Sequence, residues 1–115
     1  MSDITIKVAS QFSQEPAGRF RSDGPHSGER FRDDILVPAL KKYPQVTVNL
    51  DGTEGYGSSF LEEAFGGLVR LRNYSPSELH NRLLLVSQED ESILIEIWEY
   101  IDTAKVGGGP RKKRT

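Results

Sequence analysis

Val46-Thr47-Val48-Asn49-Leu50-Asp51-Gly52-Thr53-Glu54-Gly55-Tyr56-Gly57-Ser58-Ser59-Phe60-Leu61-Glu62 is the stretch on which the fold turns. Its first five residues put β-branched and polar side chains in strict alternation, which predicts a strand. Its middle is acidic and glycine-rich, which predicts a loop. Its end opens an apolar run, Phe60, Leu61, Ala64, Phe65, Leu68, Val69 and Leu71, at helical spacing. Ser59 with Glu62 has the spacing of a capping box and places the helix over about 59–71. Gly66 and Gly67 fall mid-helix, where each costs roughly 1 kcal/mol against Ala. That cost is tolerable where another backbone must approach closely.

Working outward, Ile4-Thr5-Ile6-Lys7-Val8 alternates as a strand. Residues 13–28 are rich in Gly, Pro and Ser, and Gly18-Arg19-Phe20-Arg21 inside them is expected to pair with the first strand as a hairpin arm. Ser27 is a plausible N-cap for a helix over 28–43, marked by Phe31, Ile35, Ala39 and Tyr43. Pro38 removes one helical donor and predicts a kink near Asp34–Val37. Ser75-Pro76-Ser77-Glu78 is a second capping box, opening a short helix near 76–82. Leu83-Leu84-Leu85-Val86 reads as a central strand buried on both faces. Ile93, Ile97 and Ile101, with Glu96, Glu99 and Asp102 opposite, mark an amphipathic helix over 90–105. The resulting α/β expectation is a mixed sheet of about four strands flanked by helices. It forms one domain over 1–106, followed by a disordered basic tail over 107–115.

The 115 residues carry 15 basic and 17 acidic side chains and no cysteine. Disulfide and thiolate chemistry are therefore excluded. Without Arg111-Lys112-Lys113-Arg114 the balance is 11 basic against 17 acidic. An acidic body suits phosphate backbones poorly, leaving the tail as a weak nucleic-acid contact at most. No apolar run is long enough for a membrane span. The N-terminus lacks the apolar run of a signal peptide. The expected location is cytoplasmic.

Chemistry-bearing motifs are sparse. His26 and His80 are the only histidines and neither has a second ligand at helical spacing, so no metal is expected. Nothing resembles a nucleophile elbow. The 52–57 loop is no P-loop, having no Lys after its last glycine. It is either a chain reversal or an anion-binding loop before a helix. Glu62-Glu63 and Asp33-Asp34 read as solvated helix positions. Arg19, Arg21, Arg30 and Arg32 read as partners of Asp23, Glu29, Asp33 or Asp34. No catalytic residue and no cofactor is expected.

Three motifs carry a family resemblance: Ser27-Gly28-Glu29-x-Phe31-Arg32, Val48-x-Leu50-Asp51-Gly52, and Ser58-Ser59-Phe60-Leu61-x-Glu63-x-Phe65-Gly66. Together they resemble the STAS domain of anti-sigma factor antagonists, and more closely the STAS-like DUF4325 group. The resemblance implies partner switching. In STAS domains a serine at this junction is phosphorylated by a kinase-type anti-sigma factor, and the unmodified domain binds that partner. The matching positions are Ser58 and its neighbour Ser59, although Gly57 replaces the family's Asp and Phe60 its Gly. The implied function is a non-catalytic regulatory interaction module acting with a GHKL-type ATPase or kinase. Its surface would comprise Asp51, Glu54, Gly55, Tyr56, Gly57, Ser58, Phe60, Glu62 and Glu63. The alternative is a small-ligand or nucleotide sensor, or an enzyme. It would use the 13–30 and 51–59 loops, with Arg19, Arg21, His26 and Ser27 as a secondary set.

Overall fold

A computed structural model describes residues 3–109. The basic run 111–114 lies outside the described residues. Strand β1 (Ile4–Lys7) leads directly into a single turn, α1 (Val8–Gln11). After the 13–27 segment, helix α2 spans 28–42, with a π-helical stretch at Arg32–Leu36 between the α-helical pieces Gly28–Phe31 and Val37–Lys42. The expected kink is this π stretch, placed just ahead of Pro38. Strand β2 (Val46–Asn49) precedes helix α3, which spans 58–72 and has its own π stretch at Glu62–Gly66. Helix α4 (Pro76–Arg82), strand β3 (Leu83–Val86) and helix α5 (Ser92–Thr103) complete the order.

The sheet has three parallel strands in the order β1-β2-β3. The sheet is parallel and not mixed as expected, because a helical crossover joins each strand to the next. Two further expectations are corrected here. Gly18–Arg21 adds no fourth strand: the segment instead makes a 3₁₀ turn at Arg21–Asp23, because Arg19 is drawn inward to acids on α3. Strand β3 is an edge strand and not central, and its Leu84 is 58% exposed. A continuous apolar run does not distinguish an edge from a centre.

In-register pairing places Ile4, Val46 and Leu83 in one row and Ile6, Val48 and Leu85 in another. These rows form the face packed into the core. The alternate rows hold Thr5, Lys7 and Leu84, which are exposed, and Thr47, Asn49 and Val86, which are half-exposed. Parallel sheets are ordinarily covered on both faces, so the uncovered side is a distinctive feature of this one.

Helix α3 is the centre of the molecule: every residue from 60 to 70 is buried. Its apolar side chains lie on all sides, the pattern of a helix enclosed by neighbours. Phe60 and Phe65 join Phe31 and Phe12 in an aromatic cluster with ring centroids 5.1–6.3 Å apart. Gly28 lets the backbones of α2 and α3 approach closely, since a Cβ there would collide with the Phe60 carbonyl oxygen. Ser27 caps α2, its hydroxyl accepting from Arg30 N at 3.1 Å, and Ser75 caps α4 through Glu78 N at 3.1 Å. Arg82 closes the other end of α2, donating to the Leu40 carbonyl and, at 2.9 Å, to that of Tyr43, as cations at helix C-termini do.

The register is open to a paired test. Leu85→Asp buries an unpaired charge on the core face, at a cost of several kcal/mol, and should abolish the cooperative thermal transition. Leu84→Asp, one residue away on the open face, should melt within about 0.5 kcal/mol of wild type. Equal effects would mean that the strand is not paired in this register.

Candidate functional site

Two polar features stand out: a buried ion-pair network between α2 and α3, and a junction at the carboxyl edge of the sheet. The network was not anticipated from sequence. Glu62 and Glu63 are not solvated; they are 3% and 2% exposed, as buried as Arg32 and Arg70 at 2% and 4%. Arg32 Nη1 donates to Glu63 Oε2 at 2.6 Å and to the Glu63 carbonyl at 3.0 Å. Arg70 donates to Glu62 Oε2 and, at 3.2 Å, to Glu63 Oε1. Arg19, from the 13–27 segment, reaches Glu62 Oε1 at 2.6 Å and Glu63 Oε1 at 3.2 Å. Asp33 accepts from Arg32 Nε at 2.9 Å and from Arg72 Nη2 at 3.0 Å. Every carboxylate oxygen of Glu62 and Glu63 thus has a guanidinium partner. Among the described residues no buried side-chain nitrogen or oxygen lacks a hydrogen bond.

The two mid-helix glycines make this network possible. A Cβ on Gly67 would overlap the Arg32 guanidinium. One on Gly66 would sit 2.9 Å from Glu62 Oε2 and 3.1 Å from Arg70 Nη1. Both positions are therefore emptied for charged side chains and not, as expected, for a neighbouring backbone. The sequence signal was present: acids at 62 and 63 inside an all-round apolar helix have to be buried, and buried charges have to be paired. The expected contacts Arg21–Asp34 (2.9 Å), Arg30–Asp34 (3.5 Å) and Arg32–Asp33 do form.

The junction is built by the sheet. Parallel strands deliver their carboxyl ends to one edge, where α/β folds commonly place functional loops. Here the loops after β2 and β3 lie side by side. The Asp51 carboxylate accepts from Gln88 N and Glu89 N at 3.0 Å, and these backbone bonds hold it below its ordinary value of 3.8. Gly52 N donates to Glu89 Oε1 at 3.0 Å. Tyr56 donates its hydroxyl to the Leu50 carbonyl at 2.8 Å, and burial pushes its phenol up to about 12. It is thus a structural anchor.

The loop ends at Gly57, which is the N-cap of α3 with extended backbone (φ −76°, ψ 152°) and no side-chain cap bond. The expected Ser59 cap is therefore corrected: the helix begins at Ser58, which moves Ser59 inside the first turn. Ser58 and Ser59 are both exposed, and Ser58 Oγ donates to Glu96 Oε2 on α5 at 2.9 Å. Tyr100 also donates to Glu96 Oε2, at 2.6 Å. Of the surface set expected here, Glu54, Gly55, Gly57 and Ser58 are exposed, and Asp51 and Tyr56 are half-buried. Phe60, Glu62 and Glu63 are buried and lie away from the exposed junction, because α3 is enclosed by its neighbours. Glu96 is the member that sequence did not supply.

The model of one family, described as a STAS-like domain of unknown function (DUF4325), matches residues 27–93. The chain belongs to this family. No curated protein and no solved structure matches it. The STAS-like match runs from the cap of α2 to the start of α5. It contains Ser58 and the quartet Arg32, Glu62, Glu63 and Arg70, and it excludes Arg19 and Glu96.

The secondary set of the STAS-like domain is dispersed by role. Arg19 joins the buried network and Arg21 meets Asp34 at the surface. His26 packs edge-on against Phe12, with centroids 5.6 Å apart, and Ser27 is the buried cap of α2. An open cleft of about 280 Å³ lies beside Glu62 and Arg70, walled by residues 103–105, Gly108 and Gly109. It is not formed by the 51–59 loop. His80 stacks on Trp98 at 4.2 Å and meets Asp102 at 2.8 Å. Among the described residues no cluster of His, Asp or Glu could hold a metal ion, and no helix is long and apolar enough to cross a membrane.

Burial alone would raise the Asp33 carboxyl, but its bonds to Arg32 and Arg72 outweigh that and hold it below 3.8. A carboxyl depressed in the folded state stabilises fully above its unfolded value, and that contribution is lost as pH falls through the folded value. Stability should therefore fall below about pH 4. Asp33→Asn should be less stable near neutrality and lose less on acidification. Parallel acid slopes in melts of the two proteins would show that Asp33 contributes nothing to the pH dependence.

Proposed function

We propose that this STAS-like domain is a non-catalytic regulatory module that docks a protein partner at the α3 junction and is controlled by modification of Ser58. The observation that supports this reading is the Ser58–Glu96 contact. Ser58 is exposed on the first turn of α3, caps nothing, and points its hydroxyl at a carboxylate on another helix. A phosphoryl group there would add about −1.5 to −2 charges. The helix N-terminus would favour it, while Glu96 and Glu54 would oppose it. The surface would change from small and hydroxyl-bearing to strongly anionic, and the tie between α3 and α5 would be replaced by repulsion. A docked partner would be expelled by the same change. The family's resemblance to anti-sigma factor antagonists favours a GHKL-type ATPase or kinase as that partner.

Substitutions separate folding from recognition. Ser58→Ala and Ser59→Ala should each stay within about 0.5 kcal/mol of wild type, since neither hydroxyl caps the helix. Ser58→Glu should also fold, its acid suiting the helix N-terminus. Quantitative pull-down from native extract should then show partners retained by Ser58→Ala and lost by Ser58→Glu. Identical partner lists for wild type and Ser58→Glu at matched salt would overturn the docking reading. Intact-protein mass spectrometry of the native chain addresses the phosphoryl group itself.

A further inference from the structure

We infer that residues 13–27 form a strap that opens independently of the rest of the fold, with Arg19 as its latch. The segment crosses from α1 to the cap of α2 with one 3₁₀ turn as its regular structure. Besides the bonds at its two ends, Ser13 N to the Val8 carbonyl and Phe31 N to that of Ser27, its backbone ties to the body are three: Glu54 N to the Gln14 carbonyl at 2.8 Å, Gly28 N to that of Gly18 at 2.9 Å, and Glu29 N to that of Arg19 at 2.9 Å. Its apolar anchoring is slight. Pro16 is buried, but Phe20 is 42% exposed and Ala17 and Pro25 are exposed. A segment with few buried apolar contacts opens at low free energy. Its other side-chain ties, Arg21 to Asp34 and Glu29 and the Pro25 carbonyl to Arg30, are exposed and worth little. The one that reaches the interior is Arg19, bonded to both Glu62 and Glu63.

The charge arithmetic of the network makes that latch releasable. Arg32 and Arg70 already balance Glu62 and Glu63, and Asp33 is balanced by Arg72. Arg19 is the surplus cation. If it leaves, Glu63 keeps Arg32 and Arg70, and Glu62 keeps Arg70. Only Glu62 Oε1 loses its partner, and lifting the strap opens that oxygen to water. The Arg19 side chain is 18% exposed against 2% for Arg32 and Arg70, so it stands at the rim, where its own rehydration is easy. Gly18, directly before the latch, has φ +92°, and a Cβ there would lie 2.9 Å from that of Asp23. Only glycine adopts such a backbone readily. The family match begins at Ser27, the strap's last residue and the cap of α2, so the quartet belongs to the STAS-like body and the latch to the strap. Opening would uncover Phe12 beneath His26 and release Gln14 from the loop that precedes Ser58.

Native-state hydrogen exchange on the full chain tests this. The reporters are the amides of Gly28, Glu29 and Glu54, each bonded between strap and body, with Leu50, bonded to the Val86 carbonyl in the sheet, as the global control. In wild type the three reporters should exchange faster than Leu50. Arg19→Gln should accelerate them at least ~10-fold further, the scale of a lost charged hydrogen bond, with Leu50 and the melting temperature nearly unchanged. Arg19→Lys should restore part of the protection, while Arg32→Gln should lower the melting temperature outright. Reporters that exchange only with Leu50 in both wild type and Arg19→Gln would overturn the strap. So would an Arg19→Gln protein that melts as low as Arg32→Gln or fails to fold, because the latch would then belong to the core.

Discussion

The pairing of Arg32 with Glu63, inside the contact of α2 with α3, is the constraint to which the rest of the structure answers. A buried ion pair is a doubtful source of net stability, because removing both charges from water costs several kcal/mol per ion before attraction returns it. Its effect here is on register. Two apolar helices can slide past each other at little cost, but two carboxylates with all four oxygens committed to guanidinium groups cannot. Gly66 and Gly67 then follow as the space the guanidinium groups occupy, and Gly28 as a point where the backbones approach closely. Both helices carry their π stretches where these charged residues sit.

That locked pair also places the surface. α3 runs from the carboxyl edge of the sheet into the core, so its buried length fixes where its first turn emerges. Ser58 stands at that turn, one helical turn before Glu62, and faces Glu96 on α5. The interior network and the exposed serine are thus two ends of one rigid element. Ser58 lies on the first turn of a helix whose buried length is tied by ion pairs, beside the loop and α5. Arg19 and Glu54 connect the 13–27 segment to both ends of the arrangement.

Much of this was legible in the sequence. Period-two alternation at Ile4–Lys7 and Val46–Asn49, helical spacing after Ser27, and the Ser75 box each gave an element close to where it lies. The failures have physical causes. Gly57, Ser58 and Ser59 are all competent caps, and local spacing alone favoured the wrong one. Leu83–Val86 is apolar throughout, so its exposed Leu84 left no trace in the pattern. Arg19 and Glu62 are 43 residues apart, and no local rule pairs residues at that distance. The composition of α3 did contain the clue, since a helix with no polar face leaves its acids nowhere to go but inward. The Ser58–Glu96 contact depends on how α5 packs over α3, which periodicity does not specify.

A double-mutant cycle between Arg32 and Glu63 probes the lock itself. The proteins are wild type, Arg32→Met, Glu63→Leu and the double variant, compared by denaturant unfolding. Each single change removes the shortest pairing and leaves an imperfectly balanced buried charge, Glu63 with Arg19 and Arg70 or Arg32 with Asp33, and should cost about 3 kcal/mol, while the double change removes both charges and should recover much of that loss. A coupling energy above about 1.5 kcal/mol is expected, in the upper range for residues in direct contact. Additive losses, with the double variant as unstable as the two single effects combined, would mean that Arg32 and Glu63 do not hold α2 against α3.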